Sequence, residues 1–155
     1  MNDEIFLRPL TIDDAAISWR WRNDPDIWQY TEKRPDREIT EKMEREWAAR
    51  VISDVSRINY AICLKPSGKY IGNIYLVGIN GTEGELGIFI GEKSCQGKGF
   101  GRKALEKLKE ILYDRGITAI HIDVALANSP ALITYLKAGA KFDENRRMGM
   151  TLQLH

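Results

Sequence analysis

The spacing of apolar positions changes several times along the chain, and each change marks an element. Ile5–Leu10 is a short apolar segment closed by Pro9 and reads as an opening strand. Thr11-Ile12-Asp13-Asp14 sets an acid three residues after a hydroxyl, the capping-box arrangement. A helix should follow through Ala15, Ala16 and Trp19 and end at Asn23-Asp24-Pro25. Ile39, Met43, Trp47 and Val51 recur every four residues, which predicts a second helix from Asp36 to Arg50. Asn59–Leu64 and Lys69–Ile79 are rich in β-formers and are joined by the turn composition Lys65-Pro66-Ser67-Gly68. Asn80-Gly81 opens another hairpin turn into a strand over Glu85–Ile90. The period then lengthens. Phe100, Ala104, Leu105, Leu108, Ile111 and Leu112 fall at helical spacing with charges between them, and Gly116 stops that helix. Alternation returns over Ile117–Ala125, where Ile120, Ile122 and Val124 interleave with His121 and Asp123. A short helix over Asn128–Ala138 and a last strand over Met148–Leu154 complete a single α/β domain, residues 1–155, with a mixed sheet flanked by helices.

Composition narrows the class. The chain has 155 residues, 43% of them hydrophobic, enough for one sizeable core. No apolar run is long enough for a membrane helix. Met1-Asn2-Asp3-Glu4 is acidic and is not followed by a signal-peptide block. Lys+Arg total 23 against 22 Asp+Glu, a net charge of +1, which argues against a nucleic-acid binder. Cys63 and Cys95 stand far apart and make neither a metal pattern nor a disulfide framework, so a reducing cytoplasm is the expectation. Charge is unevenly spread. The first 50 residues carry 9 basic and 12 acidic side chains, whereas Lys93–Arg115 carries 7 basic and 3 acidic ones. That local cluster suits either a solvated helix face or a small polyanionic ligand.

The stretch Gln96-Gly97-Lys98-Gly99-Phe100-Gly101-Arg102 bears on that choice, although a bare glycine-rich turn is most often structural. It lies between a strand and an amphipathic helix that begins inside it. Helix N-termini present unpaired N–H groups and the positive end of the macrodipole, and glycines let a phosphate approach them. Lys98 and Arg102 add direct charge. Neither the G-x-G-x-x-G nor the G-x-x-x-x-G-K-[S/T] nucleotide loop is present.

Gln96, Gly99 and Gly101 do form a Q-x-x-G-x-G pattern, set between a strand and a long helix, with Asn128, Tyr135 and Gly139 following after the next strand. In this order of elements the chain resembles the GNAT superfamily of N-acetyltransferases over nearly its whole length. Within that superfamily it looks like the branch of ribosomal-protein N-terminal acetyltransferases and amino-sugar N-acetyltransferases, on Leu7-Arg8-Pro9-Leu10 and Trp21-Arg22-Asn23-Asp24-Pro25. One departure is Gly139-Ala140-Lys141-Phe142, where members often show Gly-Phe.

The resemblance implies a sheet splayed between the fourth strand (Glu85–Ile90) and the fifth (Ile117–Ala125), with acetyl-CoA as cosubstrate and no metal. The pantetheine arm would lie along the backbone of Ile88, Phe89 and Ile90, one of whose N–H groups would face the thioester oxygen. The pyrophosphate would sit on Gln96, Gly97, Lys98, Gly99, Phe100, Gly101 and Arg102. Asn128 resembles the asparagine that bonds the pantetheine arm; it is equally a good helix N-cap. Tyr135 matches the tyrosine that protonates the leaving thiolate, although a tyrosine in a short helix also serves as core packing. Glu85 resembles the strand glutamate used as base, or else pairs across strands. Two histidines, His121 and His155, make a zinc site or a Ser-His-Asp triad an unfavoured reading.

The acceptor would be a small-molecule amine, such as an amino sugar of a nucleotide-sugar pathway, or a peptide N-terminus. Trp21, Arg22, Trp28 and Tyr30 could line its cleft, or the tryptophans could seal the loop base. A non-catalytic CoA-binding module, a nucleotide-binding protein of another type and a homodimer stay open.

Overall fold

The alternating segments pair into one sheet. The computed structural model describes residues 4–28, 37–123, 129–142 and 149–154. Its strands are β1 (Ile5–Pro9), β2 (Ile58–Leu64), β3 (Tyr70–Asn80), β4 (Glu83–Ile90), β5 (Ala119–Asp123), β6 (Lys141–Phe142) and β7 (Gly149–Gln153). They lie in the order β1-β2-β3-β4-β5-β7-β6. Neighbours run antiparallel except β4 and β5, so the sheet is mixed. β4 pairs with β3 from Glu83, opposite Asn80, to Ile90, opposite Gly72. With β5 it pairs only through Glu83, Gly84 and Glu85. From Leu86 onward the two strands part, which is the splay expected between the fourth and fifth strands.

The helices are α1 (Ala15–Arg22), α2 (Pro25–Trp28), α3 (Glu41–Ser53), α4 (Phe100–Asp114) and α5 (Ser129–Lys137). The capping box ahead of α1 is present: the Thr11 N–H donates to the Asp14 carboxylate at 2.8 Å, which also takes a two-pronged Arg8 guanidinium. α4 packs on one face, its Ala104, Leu105, Leu108 and Leu112 burying Ile74, Leu76, Leu86, Ile120 and Met150. The opposite face carries Ala61, Cys63 and Tyr70 against Trp21, Leu10 and Val51, with Trp47 and Phe89 at the margin. No helix among the described residues is long and apolar enough to cross a membrane.

Several boundaries differ from the sequence reading. α3 begins at Glu41 rather than Asp36, because Thr40 takes the N-cap and its hydroxyl accepts the Met43 N–H at 3.2 Å. The Asn23 side chain also exchanges two 2.8 Å hydrogen bonds with the Ile39 backbone and holds it outside the helix. At the other end α3 runs on to Ser53. Asn23-Asp24-Pro25 does stop α1, but Pro25 starts α2, at the first helical position where its missing N–H costs nothing. β5 starts at Ala119 rather than Ile117, since the turn carbonyl of Thr82 takes the N–H of Thr118 first. The two-residue β6 carried no periodic signal.

Candidate active site

Where β4 leaves β5, its backbone is the chemistry on offer. Polar groups along a strand alternate sides. The Gly91 N–H donates to Ile71 on the β3 side at 2.8 Å, and the Thr82 carbonyl accepts from Thr118 on the β5 side at 2.8 Å. By that alternation the peptides of Leu86, Ile88 and Ile90 face the opening, and that of Phe89 is spent in the β3 ladder. Of the three strand residues expected along a ligand, Ile88 therefore presents both its N–H and its carbonyl, and Ile90 its N–H. Gln96 closes the end of the row: its Nε2 donates to the Ile90 carbonyl at 2.9 Å.

The glycine loop stands at that end. Gly97 and Gly99 take φ of 74° and 80°, the left-handed region open to glycine, and Gly99 is the N-cap of α4 with no side chain completing the cap. The N–H groups of Phe100, Gly101 and Arg102 are left to a ligand by helix geometry. Gly101 has ordinary helical φ, and a Cβ there would meet Ile88 Cδ1 at 3.6 Å, so the helix start sits against the opened strand. Lys98 and Arg102 are exposed beside it.

Tyr135 is 8% exposed and joins the core under α5. Burial, and then the nearby Tyr75, push its phenol up to about 12, so it holds its proton through the physiological range. Tyr75 is a residue the sequence did not single out. It lies opposite Gly87 on β4, and a Cβ on Gly87 would come within 2.1 Å of its ring, so the missing side chain makes room for the phenol. Cross-strand partners share a face. Asn59, Tyr75 and Gly87 form one row across β2 to β4, and Val77, Glu85, His121 and Thr151 the next. Glu85 thus stands half-buried at the point of divergence, beside His121, whose ring nitrogens are 2.5 Å from Glu83 Oε1 and 3.1 Å from Thr151 Oγ1.

The expected acceptor residues are placed otherwise than as an open cleft. Trp21 and Trp28 are each 6% exposed, and both rings pack on Phe89. Trp28 Nε1 donates to the Trp21 carbonyl at 3.0 Å, and a Cβ on Gly91 would strike the Trp21 ring. Arg22 turns its Nε to both oxygens of Glu44 at 3.1 and 3.2 Å. Glu44 is 2% exposed and also takes the Ser18 hydroxyl at 2.7 Å. The half-buried surface that remains is Trp47, Arg57 and Tyr75. Asn128 and Tyr30 lie outside the described residues.

The described residues thus include an opened parallel pair, a glycine-capped helix at its end and a buried, protonated tyrosine near Tyr75. The model of the acetyltransferase (GNAT) domain matches residues 4–141. The chain belongs to the GNAT acetyltransferase family. It is 24% identical over 144 residues to the uncharacterized protein MJ1062 of Methanocaldococcus jannaschii, covering 90% of this chain and 28% of that protein. It thus spans under a third of the curated relative that it matches. A domain from M. jannaschii superposes with a TM-score of 0.83 at 20% identity, over 98% of this chain and 99% of that one. The spermidine N-acetyltransferase of Vibrio cholerae, solved with CoA and spermine, gives 0.84 at 22%, over 99% and 97%. The aminoglycoside acetyltransferase AAC(6')-Ib, solved with coenzyme A, gives 0.79 at 24%, over 96% and 94%. The GNAT fold is therefore shared along essentially the whole chain.

Proposed function

We propose that this GNAT domain transfers the acetyl group of acetyl-CoA to a primary amine by direct attack within a ternary complex. The observation that carries the reading is the unpaired edge of β4. Ile88 would offer its N–H and C=O, and Ile90 its N–H, to a pantetheine arm, and the start of α4 would take the pyrophosphate that follows. A β4 N–H would donate a hydrogen bond to the thioester oxygen as negative charge develops there. Tyr135, protonated at neutral pH, supplies the leaving thiolate with a proton, and Glu85 takes one from the amine, directly or through water. The names of the structural neighbours, acting on spermidine and on aminoglycosides, support an amine acceptor. The half-exposed Trp47 and Tyr75 rings favour an amino sugar, whose apolar ring face stacks on aromatics.

The test is binding followed by turnover. Ligand at about 100 times its dissociation constant stabilises the native state by roughly 2.7 kcal/mol, several degrees in Tm. Acetyl-CoA should raise Tm by that amount, ATP should not compete, and a mixed panel of amines should release free CoA thiol. Absence of any shift with saturating acetyl-CoA would end the reading, and a shift without CoA release would leave a binding module.

A further inference from the structure

Resting on the N-acetyltransferase reading, we propose that Arg57 grips an anionic group of the acceptor, so the acceptor is an amine that also carries a phosphate or carboxylate. Arg57 immediately precedes β2 on the face that bears Tyr75, Gly87 and Glu85. Its guanidinium lies 5.2 Å from the Tyr75 ring centroid and 6.0 Å from that of Trp47, and its Nε donates to Asn59 Oδ1 at 2.9 Å. The two rings and Asn59 therefore fix the plane of the fork and occupy its inner nitrogen. Among the described residues no carboxylate comes within ion-pair distance of its two terminal nitrogens. Two parallel N–H donors on a planar cation, already held in place, match the oxygens of a phosphate or carboxylate.

The neighbouring charges point the same way. Arg22 also lies over the Trp47 ring, 4.2 Å from its centroid, but the buried Glu44 spends itself on that cation. Asp54, just ahead of β2, attracts Arg57 without reaching ion-pair distance, while burial first, and the repulsion from Arg22 as well, pull Arg57 below the usual arginine range. A half-buried cation in that position is stabilised by an anion from outside. A polycationic acceptor would be repelled there. The Tyr75 ring borders both Arg57 and Gly87, which brings the anion site near the opened strand. At the strand itself, Glu85 and Tyr135 mark the amine's end. An acceptor with opposite charges at its two ends fits this arrangement, which sets it apart from the spermidine enzyme that shares the fold.

Matched amines that differ only in the anion test this. D-glucosamine 6-phosphate is compared with D-glucosamine, 6-aminohexanoate with its amide, and spermidine serves as the polycation. In the wild type the charged member of at least one pair should show kcat/KM about 10- to 100-fold above its uncharged mate, mainly through KM. The pair that responds names the anion. Arg57→Gln should collapse that ratio towards one, and Arg57→Lys should keep part of it, with folding of both verified by the acetyl-CoA melting shift. Preference for spermidine or for the uncharged members overturns the inference and leaves the acetyltransferase reading intact, as does a ratio that survives in Arg57→Gln. Wild-type protein that gives no acetyl-CoA shift overturns both.

Discussion

Tyr135→Phe separates chemistry from packing at the proposed site. The change deletes one oxygen from a ring that is 8% exposed and leaves the ring in the core, so the fold and the acetyl-CoA affinity should stay near wild type. A positioned proton donor contributes about 100- to 10,000-fold, so kcat should fall by at least two orders of magnitude. Because the proton moves only once the amine has attacked, the loss belongs in kcat rather than KM. The same phenol gives a second readout that needs no substrate. Its pKa rises from 10 to about 12 on folding. A group raised in the folded state stabilises fully below its unfolded value and loses that contribution as pH climbs through the folded one. Wild-type protein should therefore lose on the order of 2–3 kcal/mol between about pH 10 and 12 from this group alone, and Tyr135→Phe should be spared that part. Stopped assays of CoA thiol under single-turnover conditions report the chemistry, and denaturant midpoints taken at pH 9 to 12 report the linkage. An unchanged single-turnover rate would show that the tyrosine is packing and that water protonates the thiolate.

Three further outcomes test the surrounding parts. Gly101→Val, in ordinary helical φ where a Cβ makes only ordinary contact, should abolish the acetyl-CoA shift while the protein still folds, whereas Gly99→Val, at φ 80°, should lower both binding and stability; unaltered binding in a folded Gly101→Val would make the loop structural only. Glu85→Gln should slow turnover at pH 7 and recover towards wild type as pH rises and the amine frees itself of its proton; a pH-independent deficit would remove Glu85 as the base. Arg22→Met strands the Glu44 carboxylate, 2% exposed, without its cation and should cost roughly 3–5 kcal/mol, about 10 °C in Tm. A Tm within 2–3 °C of wild type, by this same scale, would mean that the pair contributes little.

What the sequence determined alone is what local forces decide. Periodicity placed α4 and the alternating strands, because burial of one face acts over a turn or two of chain. The Thr11–Asp14 cap, the Gly116 stop and the glycines ahead of α4 were legible because capping and left-handed backbone are properties of neighbouring residues. That the loop and Tyr135 belong to one site rested on likeness to a family, since nothing local joins residues so far apart. Tertiary structure decided the rest. β4 opens at Leu86 because its register with β5 ends at Glu85, and no residue in β4 announces this. Trp21 and Trp28 could not be told from cleft residues until Phe89 and Gly91 were seen beneath them. Arg22 reads as a ligand group in one dimension and is instead consumed by Glu44, 22 positions away. Arg57 had no motif around it. Its orientation depends on Trp47, Asn59 and Tyr75, which come from a helix and two strands and meet only once the sheet has formed. Charges and aromatic rings act through space, and the sequence records only their order along the chain.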